Sequence, residues 1–297
     1  MTIADASHVA YSDETCFNIG RYRGLGLISL ESTNFTQVNK RILELLRDSA
    51  IREFKWEKLK TARYRFAALK LLDFAIEYVL KNLIRIDILV WDIEDNRHKI
   101  MGRCDNKNLQ VMYYHLLKNV LVHRWPCDCT WCLYPDENSV IDWDRIKRFL
   151  DRGKYRTIIS NYLFSDPYLR EKFITDYRIL RINPSRSGSN TLIQLSDLFV
   201  GLAVYSRESF NVYKKWEKIN GNQMFLPGII PGEPNLSNAD KERCLILNEL
   251  NNRCKISGMG VSLDNSRGLR TYDPNRKLNF WWYMPQHEND KAPRRFN

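Results

Sequence analysis

No stretch of this 297-residue chain approaches the roughly 18 uncharged apolar residues needed to cross a bilayer. The amino terminus, Met-Thr-Ile-Ala-Asp-Ala-Ser, lacks a basic start followed by an apolar core, so no secretory signal is expected. Both absences lead us to expect a cytoplasmic protein. There is no internal repeat and no low-complexity tract. No Gly-x-x-x-x-Gly-Lys loop is present to cradle a nucleotide phosphate, which weakens a small-molecule phosphotransferase reading. A disulfide framework is also missing: seven cysteines is an odd number, and in a cytoplasm they are reduced thiols. Cys127-Asp-Cys129-Thr-Trp-Cys132, with His123 upstream, invites zinc, but no second ligand pair at a matching spacing accompanies it. Cys129 to Tyr134 reads better as a buried strand, in which free Cys is a common core residue.

What is present suits a soluble α/β protein. Apolar residues make up 44% of the chain and charged residues 27%, and the length allows one large domain or one domain with an appendage. The net charge of +11 favours a polyanionic partner, with nucleic acid the commonest candidate. Fifteen Tyr, thirteen Phe and eight Trp supply rings that could stack on unpaired bases, although most should lie in the core.

The chain is organised around Val9-Ala-Tyr-Ser-Asp13-Glu14-Thr15, an apolar run that ends in two acids before Gly20, Gly24 and Gly26 lead into Leu25–Leu30. That pattern reads as strand, turn, strand, with a carboxylate where the first strand stops. Helices are expected over about Thr36–Arg47 and through Phe66–Leu83, on apolar recurrences of three and four. Ile84–Trp91 reads as a core strand ending at Asp92, a helix carries Met112 to Leu121, and Thr130–Tyr134 is a strand closed by Pro135-Asp136. After a short helix near Trp143–Leu150 and the basic run Arg152–Arg156 comes another strand, Tyr177–Ile182. The turn-rich loop Pro184–Asn190, carrying Arg186, then opens onto Thr191–Tyr205, the most apolar helix.

Asp197 stands in that helix among Leu192, Leu195, Leu198 and Phe199, where an acid is costly unless paired, hydrogen-bonded or holding a metal. It shares a polar stripe with Gln194 and Gly201. In open α/β sheets the functional crevice lies beyond the carboxyl ends of the strands, where Asp13, Asp92 and Asp136 fall. Four carboxylates meeting there would repel one another unless a divalent ion neutralised them. Oxygen ligands point to Mg²⁺ or Mn²⁺, and two such ions about 3.5–4 Å apart could drive phosphodiester hydrolysis.

Several of these residues together resemble a prokaryotic family, domain of unknown function 3800, grouped with the ribonuclease H-like fold. The marks are Asp13-Glu14-Thr15, Glu53-Phe-Lys55-Trp56, the strand ending at Asp136, and Ser187…Leu192-Ile-Gln194-Leu-Ser-Asp197-Leu-Phe-Val-Gly201. Thr15 and Cys16 stand where the family has Ser-Gly. The resemblance implies a ribonuclease H-like mixed sheet, an antiparallel N-terminal hairpin plus parallel strands, flanked by helices over residues 8–210. Residues 211–297 are expected to form a C-terminal extension packed on the core, with a helix over about Ala239–Cys254, an apolar strand at Phe280–Pro285 and a basic tail at Lys291–Arg295.

A metal-dependent nuclease site is implied, with Asp13, Glu53, Asp136 and Asp197 catalytic and Lys55 near the phosphate. Arg186 and Gln194 join Lys55 as expected substrate contacts. Asp92 and Asp136 compete for one ligand position; a simple ribonuclease H order favours Asp92 and the family's pattern favours Asp136. Glu57 rivals Glu53, and Glu14 is expected to support the turn. The implied partner is RNA or DNA, in a mobile element or anti-phage defence, and a homodimer or a defence-system partner protein stays open. The alternative is a nucleic-acid- or partner-binding protein that keeps the fold without the chemistry.

Overall fold

The computed structural model describes residues 6–15, 20–95, 104–126, 128–138, 140–151, 178–221 and 236–284. Strand β1 (His8–Thr15) turns back into β2 (Tyr22–Glu31), and the two pair antiparallel with Asp13 opposite Gly26. Helix α1 (Phe35–Asp48) buries Val38, Ile42, Leu45 and Leu46, one stripe of a 3.6-residue repeat. After a thirteen-residue connection that includes a 3-10 turn at Trp56–Lys58, α2 (Ala62–Leu80) leads to β3 (Arg85–Asp92), which pairs antiparallel with β2. Helix α3 (Asp105–Leu117) runs on into a π-helical turn at Lys118–Val122. Strand β4 (Thr130–Pro135) then lies parallel to β1, and β5 (Arg178–Ile182) parallel to β4.

Residues 143–151 are helical, and the elements after β5 are α4 (Thr191–Glu208), α5 (Phe210–Gly221), α6 (Asn238–Ile256), the short pair β6 (Val261–Ser262) and β7 (Arg270–Thr271), and β8 (Leu278–Trp282). Ser237 caps α6 by accepting the Asp240 N–H at 3.1 Å. Strand β8 pairs parallel with β3, so the six-stranded sheet runs β5-β4-β1-β2-β3-β8 with β2 alone reversed. The inner order β3-β2-β1-β4-β5, with an antiparallel N-terminal hairpin and parallel strands after it, is the ribonuclease H-like arrangement.

Helices cover both faces, which is why β2 is buried almost from end to end and has no exposed face. On one face, Val9, Tyr11, Ile28, Ile86 and Ile88 pack against α1, α2, α4 and α6. On the other, Ala10, Leu25, Leu89 and Trp91 pack against α3 and its neighbours. Each Leu or Ile fully buried this way contributes roughly 1.5–3 kcal/mol. No helix among the described residues is long and apolar enough to cross a membrane.

The elements fall where the periodicity put them, with differences at their ends. Strand β2 starts at Tyr22, and α3 begins at Asp105, seven residues before Met112. Cys127, the basic run 152–156 and the tail 291–295 lie outside the described residues. Cys129 and Cys132 are buried and form no disulfide among the described residues.

Candidate active site

Alternation along β1 decides which acid goes where. Val9, Tyr11 and Asp13 point to the α4 face, whereas Ala10 and Glu14 point to the α3 face. Asp13 is 6% exposed. Its neighbour in register, Gly26, carries no side chain, and a Cβ there would meet Ser196 Oγ at 2.3 Å. Helix α4 therefore sits directly on β2, one residue from Asp197, and Asp197 is brought down beside Asp13.

On β4 the same alternation carries Cys132 and Asp136 to this face, and Asp136 N–H donates to Ser12 O at 2.8 Å across the parallel pair. Asp136 accepts the Ser187 N–H at 3.0 Å. The Ser187 hydroxyl donates to Glu53 Oε1 at 2.9 Å and lies 2.7 Å from Lys55 Nζ, which itself stands 3.6 Å from Glu53. Asp197 accepts the Trp56 N–H at 2.7 Å. The segment Glu53–Trp56 is thus clamped between the loop before α4 and α4 itself. Gly201 makes room for it, since a Cβ there would strike the Trp56 ring at 2.4 Å.

The electrostatics follow from that crowding. Burial, then repulsion from Asp197, Asp136 and Glu14, pushes the Asp13 carboxyl well above its usual range, and Lys55 eases it. Asp197 is pushed up to about 6, chiefly by burial, with Glu57 and Asp136 adding repulsion while the Trp56 N–H and Lys55 hold it down. Burial raises Asp136 as well. Burial alone would lower Lys55; the carboxylates of Asp197, Glu53, Asp13 and Asp136 overcome it and raise the ammonium, which stays charged.

Asp13, Glu53, Lys55, Asp136 and Asp197 therefore come together, with the exposed Glu57 near enough to act on Asp197. Asp92 does not join them. It ends β3 on the same face, but four residues beyond the level of Asp13 and two strands away, roughly 13 Å along and 10 Å across. There it accepts two hydrogen bonds from Arg21 Nε and Nη2 at 2.9 and 2.8 Å. Gln194 is also misplaced as a substrate contact. It is 2% exposed, with Oε1 taking the Phe54 N–H at 2.8 Å and Nε2 donating to Ser187 O at 2.9 Å. It ties the Glu53–Trp56 segment to the Ser187 loop. Arg186 stays at the rim, exposed and paired with Glu137 at 2.9 Å.

Glu14 faces away from the cluster and accepts from the Tyr113 hydroxyl and the Asn138 amide. Neither Tyr113 nor Asn138 was singled out from the sequence, and Ser187 was quoted only as the start of a motif. A small hydroxyl beside the basic loop residue was the one available signal.

All side-chain oxygens at this site are hard donors, suited to Mg²⁺ or Mn²⁺. Among the described residues no group of three His, Cys, Asp or Glu is arranged to hold an ion unaided. Mg²⁺ asks for only one or two carboxylates, the remaining positions being filled by water and substrate phosphate. Asp13, buried, and Asp197, half-buried beside it and repelling it, fit that partial form of binding.

Two curated relatives span almost the whole chain. The uncharacterized protein ORF2' of Methanothermobacter thermautotrophicus is 42% identical over 294 residues, covering 95% of this chain and 96% of its own. This chain belongs to the ORF2 family. The uncharacterized protein ORF2 of the same organism is 39% identical, covering 96% of this chain and 97% of its own. No family model matches the ORF2-family chain. A chain in the solved PCNA:RNase HII complex from Archaeoglobus fulgidus matches it with a TM-score of 0.39 at 13% identity, over 74% of this chain and 82% of that one. So loose a likeness carries no argument, and the fold assignment for this ORF2-family chain rests on its sheet order.

Proposed function

We propose that the chain is a metal-dependent nuclease that hydrolyses phosphodiester bonds of RNA or DNA at Asp13, Asp136, Asp197 and Glu53. The observation that carries this reading is the burial of Asp13 beside Asp197, 184 positions apart in sequence, with Asp136 adding repulsion and one ammonium facing them all. Such a site is stable only with a proton or a further cation in it. Asp13 and Asp197 would hold Mg²⁺ or Mn²⁺ with water and substrate phosphate completing its ligands, and the ion when bound would supply positive charge to the attacked phosphate. The residues do the rest. The Lys55 ammonium, oriented by Ser187, binds a non-bridging phosphate oxygen. Glu53, fixed through one oxygen by Ser187 and half-open to solvent, takes the proton from the attacking water. Gln194 keeps both in register. The motif likeness to domain of unknown function 3800, and with it a place in anti-phage defence or a mobile element, supports the same reading by analogy only.

The test is cleavage of labelled single- and double-stranded RNA and DNA with Mg²⁺, Mn²⁺ or EDTA. We expect cleavage that EDTA stops and that Asp13→Asn or Asp197→Asn removes. Cleavage indifferent to all three would sink the mechanism. A second reading, a binding protein without chemistry, is favoured by one observation: Lys55 is lodged among the acids and already compensates part of their charge. Under it, both variants would bind nucleic acid as the native chain does and nothing would be cut.

A further inference from the structure

Residues 47–70 carry eight Lys or Arg against three acids, and this is the segment that delivers Glu53 and Lys55 to the site. Arg47, Arg52, Lys58, Lys60 and Arg63 are exposed, and none forms an ion pair among the described residues. Arg65, by contrast, is paired with Glu242 at 3.1 Å. In the midst of this charge stands a phenyl ring. Phe66 is 54% exposed, even with the Arg65 guanidinium 5.2 Å from its centroid. It shares one face of α2 with Arg63 and Lys70, at spacings of three and four. Together with Asp48, Ser49 and Ala50 they line a shallow cleft of about 480 Å³.

We propose that this segment is a track for a single-stranded nucleic acid, with an unpaired base stacked on Phe66 and the phosphates between that base and the site held by Lys58, Lys60 and Arg63. An exposed aromatic ring among unpaired cations matches what a single strand offers, a π-face beside a row of negative charges. A duplex hides its base faces and has no use for the ring. Lys58 and Lys60 follow Lys55 by three and five residues, so they lie within roughly 11 and 18 Å of it by chain reach. From Arg63 to Lys70 the helix rises about 10 Å more. The inference deepens the nuclease reading by naming the strand form presented to Asp13 and Asp197, and it rests on that reading for the site at the track's end.

The test is fluorescence anisotropy with the full chain in EDTA, using labelled unstructured RNA and DNA of roughly 20 nucleotides and a blunt duplex of the same length. Phe66→Ala should weaken both single strands roughly 5- to 100-fold and leave the duplex little changed, with Phe66→Trp restoring binding. The pair Lys60→Ala, Arg63→Ala should flatten the salt dependence for single strands by about 1.4 in log–log slope. Urea midpoints equal to native would show that all variants fold. No binding, single-strand binding indifferent to these variants, or tighter duplex binding with the same response would overturn the track. No metal is present and no cutting is read, so the two readings fail separately. Absent cleavage with variant-sensitive binding removes only the enzyme. Metal-dependent cleavage with indifferent variants removes only the track.

Discussion

Two clusters of buried charge flank the same sheet, and they are built in opposite ways. On the α4 face, Asp13, Asp136 and Asp197 crowd around one ammonium, and the three carboxyls are all pushed upward. On the α3 face, two strands away, Asp87 is wholly buried and held by two guanidinium groups, Arg85 at 2.7 Å and Arg124, with Asn279 at 3.3 Å. Arg85 also donates to Pro274 O at 2.7 Å, and Arg124 lies over the Trp281 ring. There the Asp87 carboxylate is satisfied by the protein's own groups, which fasten β3 to the segment before β8. The first cluster is not: three carboxyls share one ammonium, and that shortfall of positive charge is what the proposed cation site rests on.

That contrast can be broken at either end. The largest effect is expected from Asp87→Ala, which leaves two buried guanidinium groups without their acid. It should cost about 3–5 kcal/mol in urea unfolding. Per folded molecule, it should leave nucleic-acid cleavage within two-fold. Asp197→Asn should do the reverse, lowering cleavage by on the order of 10²–10³-fold while the metal-free fold gains stability.

The pH dependence sharpens this. Asp197 has its folded pKa raised to about 6, so the folded state holds the proton more tightly than the unfolded chain. Its ionisation therefore costs nothing below the unfolded value near 4 and takes stability away as pH rises through about 6. In EDTA, the advantage of Asp197→Asn over the native chain should be on the order of 2 kcal/mol at pH 7 and fade toward pH 4, read from urea midpoints across that range. Saturating Mn²⁺ should reverse its sign at pH 7 by stabilising the native chain alone. The smallest effect belongs to Asp92→Asn, which removes a pair whose Arg21 is half exposed. We expect up to about 1 kcal/mol and cleavage within two-fold; a loss comparable with Asp197→Asn would return Asp92 to the site.

Much of this arrangement could be read from the chain. Asp197 announces itself because an acid in the middle of an apolar helix stands out from every neighbour. Asp13 and Asp136 do so because each ends an apolar strand. What could not be read is which strand ends become neighbours. Asp92 looks equivalent to Asp136 until sheet order places β2 between β1 and β3 and sets β4 against β1. Gln194 looked like a substrate contact because its motif position is polar, but both its groups meet backbone partners 7 and 140 residues away. The Asp87 cluster left a trace in Ile84-Arg-Ile-Asp-Ile, charges alternating inside a core strand, yet its partner Arg124 follows a π-helical turn that no local pattern announces.

The position of β8 has a consequence for biogenesis. Strand β3 gains its second neighbour from residues 278–282, some 186 positions after it ends, whereas Asp13, Asp136 and Asp197 are all made earlier. At translation speeds of about 5–20 residues per second, β3 waits roughly 10–40 s on the ribosome with an open hydrogen-bonding rim. During that interval the nascent chain offers a docking edge to other extended polypeptides, and the last strand to emerge is the one that shuts it.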